Sequence, residues 1–133
     1  VQLEVGSTAT SFDYRPYGTE LLLCQRYYAK VGPSVDGAFP GLGTAGGESS
    51  TAAFGVFNVP VTMRSIPTFS SNGTITLYSN GFNNITSFGG AYYTRNTVSI
   101  NINVSGGGLT VGRFYNILIN NDSTAFIQFN SEL

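Results

Sequence analysis

The chain has 133 residues, of which only 10% are charged and 41% are hydrophobic, and its formal net charge is −1. A charge this close to zero argues against nucleic-acid partners and against electrostatic binding to a membrane. Because the sequence has no His and a single Cys, it excludes His-dependent triads and dyads, His-ligated metals and internal disulfides.

Acidic residues offer no other route to catalysis. The seven Asp and Glu residues belong to no motif that would place two carboxylates within the roughly 5–10 Å that a glycosidase needs. They form no metal-binding cluster in the sequence either. We therefore predict no catalytic residue, no cofactor and no metal. With so few charges, the surface is expected to consist of Ser, Thr, Asn, Gly and Tyr, as in extracellular proteins or in oligomers that hide much of their surface.

The first residues, Val1-Gln2-Leu3-Glu4-Val5, alternate between apolar and polar side chains, which predicts a strand. The chain begins within this pattern and without an initiator Met, so we expect it to be a piece of a longer protein. Residues 6–18 contain small residues and the Arg15-Pro16 step, which favours extended backbone. Residues 1–18 are therefore predicted to be the end of an upstream strand plus an ordered connector, and residues 19–133 to form a single module.

Residues 19–28 are the one stretch with helical periodicity. Apolar residues recur there at i, i+3 and i+7, with one more beside them: Leu21, Cys24, Tyr28 and Leu22. Thr19 is expected to be the N-cap, and Gly32-Pro33 to end the helix. The pattern predicts an α-helix over about residues 19–30, with Cys24 as a small buried hydrophobe. Three turns are not stable alone in water, so the helix should pack on a sheet of its own domain or on copies of itself.

The rest of the chain is dominated by short β patterns. Residues 32–50 are rich in Gly and Ser and predict a long loop. After it, strands separated by Gly and Asn turns are predicted at 53–57, 59–63, 74–78, 91–94, 98–104, 109–119 and 125–129. Pro60 would place its strand at an edge or a bulge. The resulting fold class is all-β, an antiparallel β-sandwich of jelly-roll type with one short N-terminal α-helix.

Three segments resemble a known family. They are E-L-L-L-C-Q-R-Y-Y at 20–28, P-V-T-M-R-S-I-P-T at 60–68, and the closing F-N-S-E-L at 129–133. Together with the lead-in before residue 20, they are similar to the C-terminal modules of tailed-phage fibres and virion structural proteins. The resemblance implies a homotrimer in the virion that follows upstream fibre domains of the same chain.

The same resemblance implies structural or subunit-contact roles for the residues of the first two segments: Leu21, Leu22, Cys24, Arg26, Tyr27, Tyr28, Met63, Arg64 and Pro67. An Arg on a strand of so uncharged a protein is expected to pair with a carboxylate. For Arg64 that partner would be Glu20 or Glu132, and Arg26 is a similar case. We interpret both as structural rather than receptor-binding residues.

Residues 78–96 are rich in aromatic and amide side chains. Aromatic faces stack on sugar C–H surfaces and amides bind hydroxyls, so this stretch predicts a binding site for a neutral glycan or a protein receptor, with Tyr78, Phe82, Asn84, Tyr92, Tyr93 and Arg95 as candidates. In the competing interpretation these aromatics fill the core or a subunit interface. We expect the loops at 37–50 and 79–96 to meet the host surface.

Two further functions stay open at this stage. One is a monomeric lectin-like carbohydrate-binding module that serves another part of a longer protein. The other is an architectural capsid or tail decoration that binds virion proteins and no receptor. Neither involves nucleic acid or insertion into a membrane.

Overall fold

The computed structural model describes residues 16–32 and 39–131. The predicted strand at residues 1–5, nearly all of the predicted connector, and the closing Glu132-Leu133 lie outside the described residues. Whether residues 19–133 form one module therefore stays a prediction.

A helix, α1, spans Tyr17–Gln25. It begins after Pro16, whose C=O accepts hydrogen bonds from the N–H groups of Thr19 and Glu20 (3.0 and 3.2 Å). Thr19 is thus inside the helix, and its predicted role as N-cap is wrong. The predicted C-terminal end is also wrong, because the helix stops at Gln25 rather than near residue 30.

Tertiary pairing explains the early end of α1. Residues 28–31 form strand β1 (Tyr28–Val31), which pairs in antiparallel register with the strand near the C-terminus. Ala29 is buried in this strand, and the Lys30 Nζ atom lies 3.8 Å from the centre of the Phe126 ring. Ladder hydrogen bonds and burial outweigh the weak helical preference of these residues. Leu21, Cys24 and Tyr28 consequently do not share a helical face.

The described residues form nine strands, in chain order β1 (Tyr28–Val31), β2 (Gly41–Gly47), β3 (Ala52–Asn58), β4 (Thr68–Asn72), β5 (Ile75–Tyr78), β6 (Phe82–Tyr93), β7 (Thr97–Val104), β8 (Phe114–Ile119) and β9 (Phe126–Asn130). Strands β2-β3-β7-β6-β5-β8 close into a barrel, and β1-β9-β4 form a three-stranded sheet. The all-β antiparallel class with one short helix is confirmed. The finer expectation of a jelly-roll sandwich is not met, because six strands close on themselves.

Strand β2 closes the barrel, and the sequence did not predict it. Its residues, G-L-G-T-A-G-G, pair with β3 on one side and with β8 on the other. A Cβ atom at Gly43 would lie 3.0 Å from the carbonyl oxygen of Val56, so a side chain there would require the neighbouring strand to move by a few tenths of an ångström. Two ladders of main-chain hydrogen bonds hold a segment that has too few side chains to show a strand pattern. The predicted loop at 32–50 is therefore wrong over residues 41–47.

Other predicted strands differ in length. Residues 59–63 form a loop, fixed by hydrogen bonds from the N–H groups of Val59 and Met63 to the carbonyls of Asn96 and Arg95. The strand predicted over 109–119 begins only at Phe114, after a turn at Thr110. The predicted loop at 79–96 is mostly β6, whose register shifts at 85/87 and again at 89/92, with Gly90 at φ +58°. These irregularities break the alternation by which a strand is recognised.

The core fills the barrel and continues under the three-stranded sheet. On β7, Val98, Ile100, Ile102 and Val104 are all buried, as their alternation predicts. Four phenylalanines link the barrel to the sheet through ring contacts with centroid distances between 5.2 and 6.4 Å: Phe57, Phe69, Phe88 and Phe129. Edge-to-face and offset contacts of this kind are favourable beyond the apolar area that they bury.

Candidate functional site

An exposed aromatic cluster lies on the outer face of the barrel, beside the β5–β6 hairpin. Tyr78 and Phe82 are direct cross-strand partners with ring centroids 4.9 Å apart, and Phe39 stacks on Phe82 at 5.1 Å. Between 38% and 49% of each side chain is exposed. Asn84 follows two residues after Phe82 on the same face and is exposed. We call Phe39, Tyr78 and Phe82 the aromatic cluster.

The hairpin and the start of β2 hold the cluster in place. The β5–β6 connection is only Ser79, Asn80 and Gly81, and the Arg113 Nε donates a hydrogen bond to the Ser79 hydroxyl (2.8 Å). The carbonyl of Pro40 accepts the N–H of Ile119 (3.0 Å), which fixes Phe39 beside the barrel wall. The sequence-based candidates did not include Phe39. The one available signal was that Phe39-Pro40 is an apolar point in a Gly-rich stretch.

Beneath this surface, Thr76 occupies an unusual position. Its neighbours Ile75 and Leu77 enter the core, so Thr76 points to the outer face of β5, yet it is fully buried. Its Oγ1 atom has no hydrogen-bond partner among the described residues. A buried hydroxyl of this kind carries a desolvation cost that no hydrogen bond from the described residues offsets.

The other three binding candidates lie at the far end of β6. Tyr92 is ten residues beyond Phe82 along the strand, so the two are roughly 30 Å apart at the usual rise of a strand. Arg95 is engaged with the protein, because its Nε donates to the carbonyl of Met63 (2.9 Å). The six candidates are therefore divided between two regions, with Tyr78, Phe82 and Asn84 in one, and Tyr92, Tyr93 and Arg95 in the other.

The second region adjoins α1, which exposes an apolar surface. No residue of this nine-residue helix is buried, and Leu22 is 54% exposed. Cys24 is exposed as well, so its prediction as a small buried hydrophobe is wrong. A groove of about 480 Å³ runs between α1 and the loop at 59–67. Its apolar lining includes Leu22, Leu23 and Val61, and its polar lining includes Arg26 and Arg95. We call it the helix groove.

Three segments that are distant in sequence meet beside α1. Arg64 donates its N–H to the carbonyl of Arg26 (2.7 Å), the Ser131 N–H bonds the carbonyl of Tyr27 (2.8 Å), and the Ser65 hydroxyl bonds the carbonyl of Ser131 (3.0 Å). These residues belong to the segments at 20–28, 60–68 and 129–133, which carry the family resemblance. The described parts of all three are thus fastened to one another by main-chain and hydroxyl hydrogen bonds.

The remaining residues of these segments take different positions. Met63 and Pro67 are fully buried, whereas Leu21, Tyr27 and Tyr28 are each about 40% exposed. The Arg64 guanidinium lies 5.5 Å from the Tyr27 ring centre, within the range of a cation–π contact. Glu132, one of its two predicted carboxylate partners, lies outside the described residues.

One carboxylate is strongly perturbed, and its surroundings indicate a turn. Asp122 accepts hydrogen bonds from the hydroxyl of Thr124 (2.7 Å) and from the N–H groups of Thr74 (2.7 Å) and Thr124 (2.9 Å). These bonds, led by that of the Thr124 hydroxyl, lower the pKa of Asp122 to about 2. Within residues 16–32 and 39–131, no group of three Asp, Glu or Cys side chains is placed to hold a metal ion. In the same residues, no helix is long and apolar enough to cross a membrane.

Comparisons of the chain with family models, with curated proteins and with solved structures gave no match. What the protein does is therefore inferred from the two exposed surfaces, the aromatic cluster and the helix groove, and from the three converging segments.

Proposed function

We propose that the chain is a non-enzymatic module of a phage virion appendage, of the kind found at the C-terminus of tail fibres. In this proposal it forms a homotrimer through α1 and binds a host-surface polysaccharide or protein with the aromatic cluster. Its other partners would be the upstream fibre domains of the same chain, and its location the virion.

Helix α1 carries the proposal. A helix of nine residues is too short to persist without packing, and none of its residues is buried in the single chain. Leu21, Leu22 and Leu23 are consecutive and point in different directions around the helix, so one flat partner could not cover all three. Packing of α1 and the helix groove against neighbouring copies would remove this apolar surface from water.

The aromatic cluster supports the binding half of the proposal. Each of the three aromatic residues is 38–49% exposed, and the amide of Asn84 lies beside them. Together they provide stacking faces and uncharged hydrogen-bonding groups. This chemistry suits a neutral sugar, and Tyr is well suited to interfaces because its ring is apolar and its hydroxyl is polar. The meeting of the segments at 20–28, 60–68 and 129–131 is consistent with the resemblance, since it gives them a shared structural purpose.

The solution mass of the purified chain tests the assembly, by light scattering behind a sizing column. We expect a mass of three chains, and we expect Leu22→Asp to reduce it to one chain with the β-sheet circular dichroism retained. Val111→Asp is the matched control, because Val111 is also an exposed apolar residue (68%) but lies in the turn before β8, away from α1. A wild-type chain that is monomeric at every concentration and has no affinity for cells would refute the proposal.

A monomeric lectin-like module is the second candidate, favoured by the position of the aromatic cluster at a distance from α1. Saturable sugar binding by a monomer in isothermal titration would support it. A trimer that binds neither cells nor sugars would instead indicate an architectural decoration module.

A further inference from the structure

A cleft of about 270 Å³ separates the three-stranded sheet from the barrel, between β4 and β6. Ser70 and Ser71 of β4 and Thr86 and Ser87 of β6 contribute to its walls, and Phe69 and Phe88 meet across it with ring centroids 5.2 Å apart. We call it the strand cleft. It belongs neither to the aromatic cluster nor to the helix groove.

One wall of the strand cleft is a free strand edge. β4 is the outer strand of its sheet and pairs, among the described strands, with β9 alone. Ser131 donates its N–H to the carbonyl of Tyr27, so the odd-numbered residues of β9 direct their main-chain groups toward β1 and the even-numbered ones toward β4. The residues of β4 opposite those even-numbered residues are Thr68, Ser70 and Asn72. The N–H and C=O groups of Phe69 and Ser71 therefore point away from β9, toward the cleft.

The other wall offers similar groups. The Val104 N–H bonds the carbonyl of Thr51, so on β7 the odd-numbered residues direct their main-chain groups toward β6. Ser87 and Gly89 lie opposite two of those residues. Phe88, between them, directs its N–H and C=O to the opposite side. There β5 pairs with β6 only over residues 82–84, so no described strand pairs with Phe88 on that side.

The free edge of β4 lacks the features that normally protect edges. Its sequence, T-F-S-S-N, contains no charged residue, no Pro and no bulge, whereas exposed edges are usually blunted by one of these. None of the residues that line the cleft is charged. An ionised side chain entering the cleft would lose its hydration without gaining a partner of opposite charge. The absence of charge in the lining therefore favours an uncharged occupant.

We propose that the strand cleft binds an extended, uncharged polypeptide segment of another protein, which adds as a further strand to the edge of β4. Its main chain pairs with Phe69 and Ser71, and its alternate side chains enter the cleft toward Ile75 and Ile85. A second copy could reach this edge only with an extended segment, because β6 stands opposite β4 across the cleft. This inference is independent of trimer formation and of glycan binding.

Amide hydrogen exchange on the full chain tests the proposal at the atoms concerned. In the free protein, the amides of Phe69 and Ser71 should exchange fast, while those of Ser70 and Asn72, which pair with β9, should be protected. The probe is a capped heptapeptide in which Val alternates with Ser and Thr. At saturation it should slow exchange at Phe69 and Ser71 by at least about ten-fold. If these two amides are already protected without peptide, the edge is occupied by the chain itself or by a second copy, and the proposal is wrong.

Two sets of variants separate strand pairing from other contacts. N-methylation of alternate peptide residues should abolish binding in the frame whose N–H groups face β4. It should weaken binding much less in the other frame, whose N–H groups face β6, because only Phe88 offers main-chain groups there. In the protein, Ser71→Pro removes a cleft-facing N–H but no bond to β9, so the affinity should fall by about ten-fold or more, whereas Ser71→Ala should stay within about two-fold. Equal effects of both methylation frames, wild-type affinity of Ser71→Pro, or no binding at millimolar peptide would each overturn the proposal.

Discussion

Replacing Thr76 by Val should stabilise the protein. Thr76 is fully buried on the outer face of β5, and its Oγ1 atom has no hydrogen-bond partner among the described residues. A buried, unsatisfied polar group costs about 1–3 kcal/mol. Val has nearly the same shape as Thr and the same branching at Cβ, so it keeps the strand geometry and places a methyl group where the hydroxyl was.

The expected gain is about 1 kcal/mol in the free energy of unfolding, since part of the penalty is already relieved by small adjustments of the neighbours. For a chain of this length, this corresponds to a rise of roughly 3–5 °C in Tm. Urea unfolding at one fixed protein concentration measures the change, and an unchanged m-value shows that the unfolded state is not altered.

Thr86→Val is the matched control, because the hydroxyl of Thr86 is exposed and donates to the carbonyl of Asn103 (3.1 Å). It should give no gain. If Thr76→Val instead lowers the stability by more than about 0.5 kcal/mol, the Thr76 hydroxyl has a hydrogen-bond partner and is not an unsatisfied buried group.

Three other predictions concern the turn, the loop and the aromatic cluster. The pKa of Asp122 is about 2 in the folded protein, below its usual 3.8. Its carboxylate therefore contributes stability that is complete above pH 4 and is lost as the pH falls through 2. When the free energy of unfolding is measured between pH 5 and 2, it should decrease less for Asp122→Asn than for the wild type. Met63→Ala should lower the free energy of unfolding in urea by about 2–4 kcal/mol, because Met63 is fully buried and its backbone anchors the loop at 59–67. Ile66→Ala, at an exposed position of the same loop, should change it by no more than about 0.5 kcal/mol. Phe82→Ala should reduce binding to host polysaccharide at least ten-fold in titration calorimetry, and Phe114→Ala, which removes an exposed ring outside the cluster, should not.

Regular alternation in the sequence correctly predicted some of the strands. On β7 and β5, apolar residues occur at every second position, and the structure buries the same residues. The alternation works because both strands have one face in a shared core and no irregularity in between. It failed for β2, whose glycines carry no side chains to alternate, and for β6, where two register shifts change the faces of the residues that follow.

Long-range pairing also decided what local propensity could not. Tyr28 continues the helical period of Leu21 and Cys24, yet the edge of β9 captures residues 28–31 as a strand and ends α1 at Gln25. Similarly, the nearness of Tyr78 and Tyr93 in sequence suggested one binding site, but Tyr78 pairs with the first residue of the twelve-residue strand β6 and Tyr93 is its last. Phe39 joined the cluster only because the start of β2 lies along β8, which in turn pairs with β5. None of these relationships is visible within a local window of sequence.

The length of β6 has a consequence for how the two proposed surfaces would act together. The aromatic cluster lies at one end of this strand, while α1 and the helix groove lie near the other, roughly 30 Å away. Changes at sites this far apart, with no shared partners, are additive in free energy. Leu22→Asp should therefore leave the affinity of each aromatic cluster for a soluble sugar unchanged, and Phe82→Ala should leave the trimer mass unchanged.

On a surface that displays many copies of the sugar, however, Leu22→Asp should weaken attachment by about 10²–10⁴-fold, because a monomer loses the multivalent contribution of its neighbours. A loss of soluble-sugar affinity in Leu22→Asp would mean that neighbouring copies complete the binding site, and that the two surfaces are not separate.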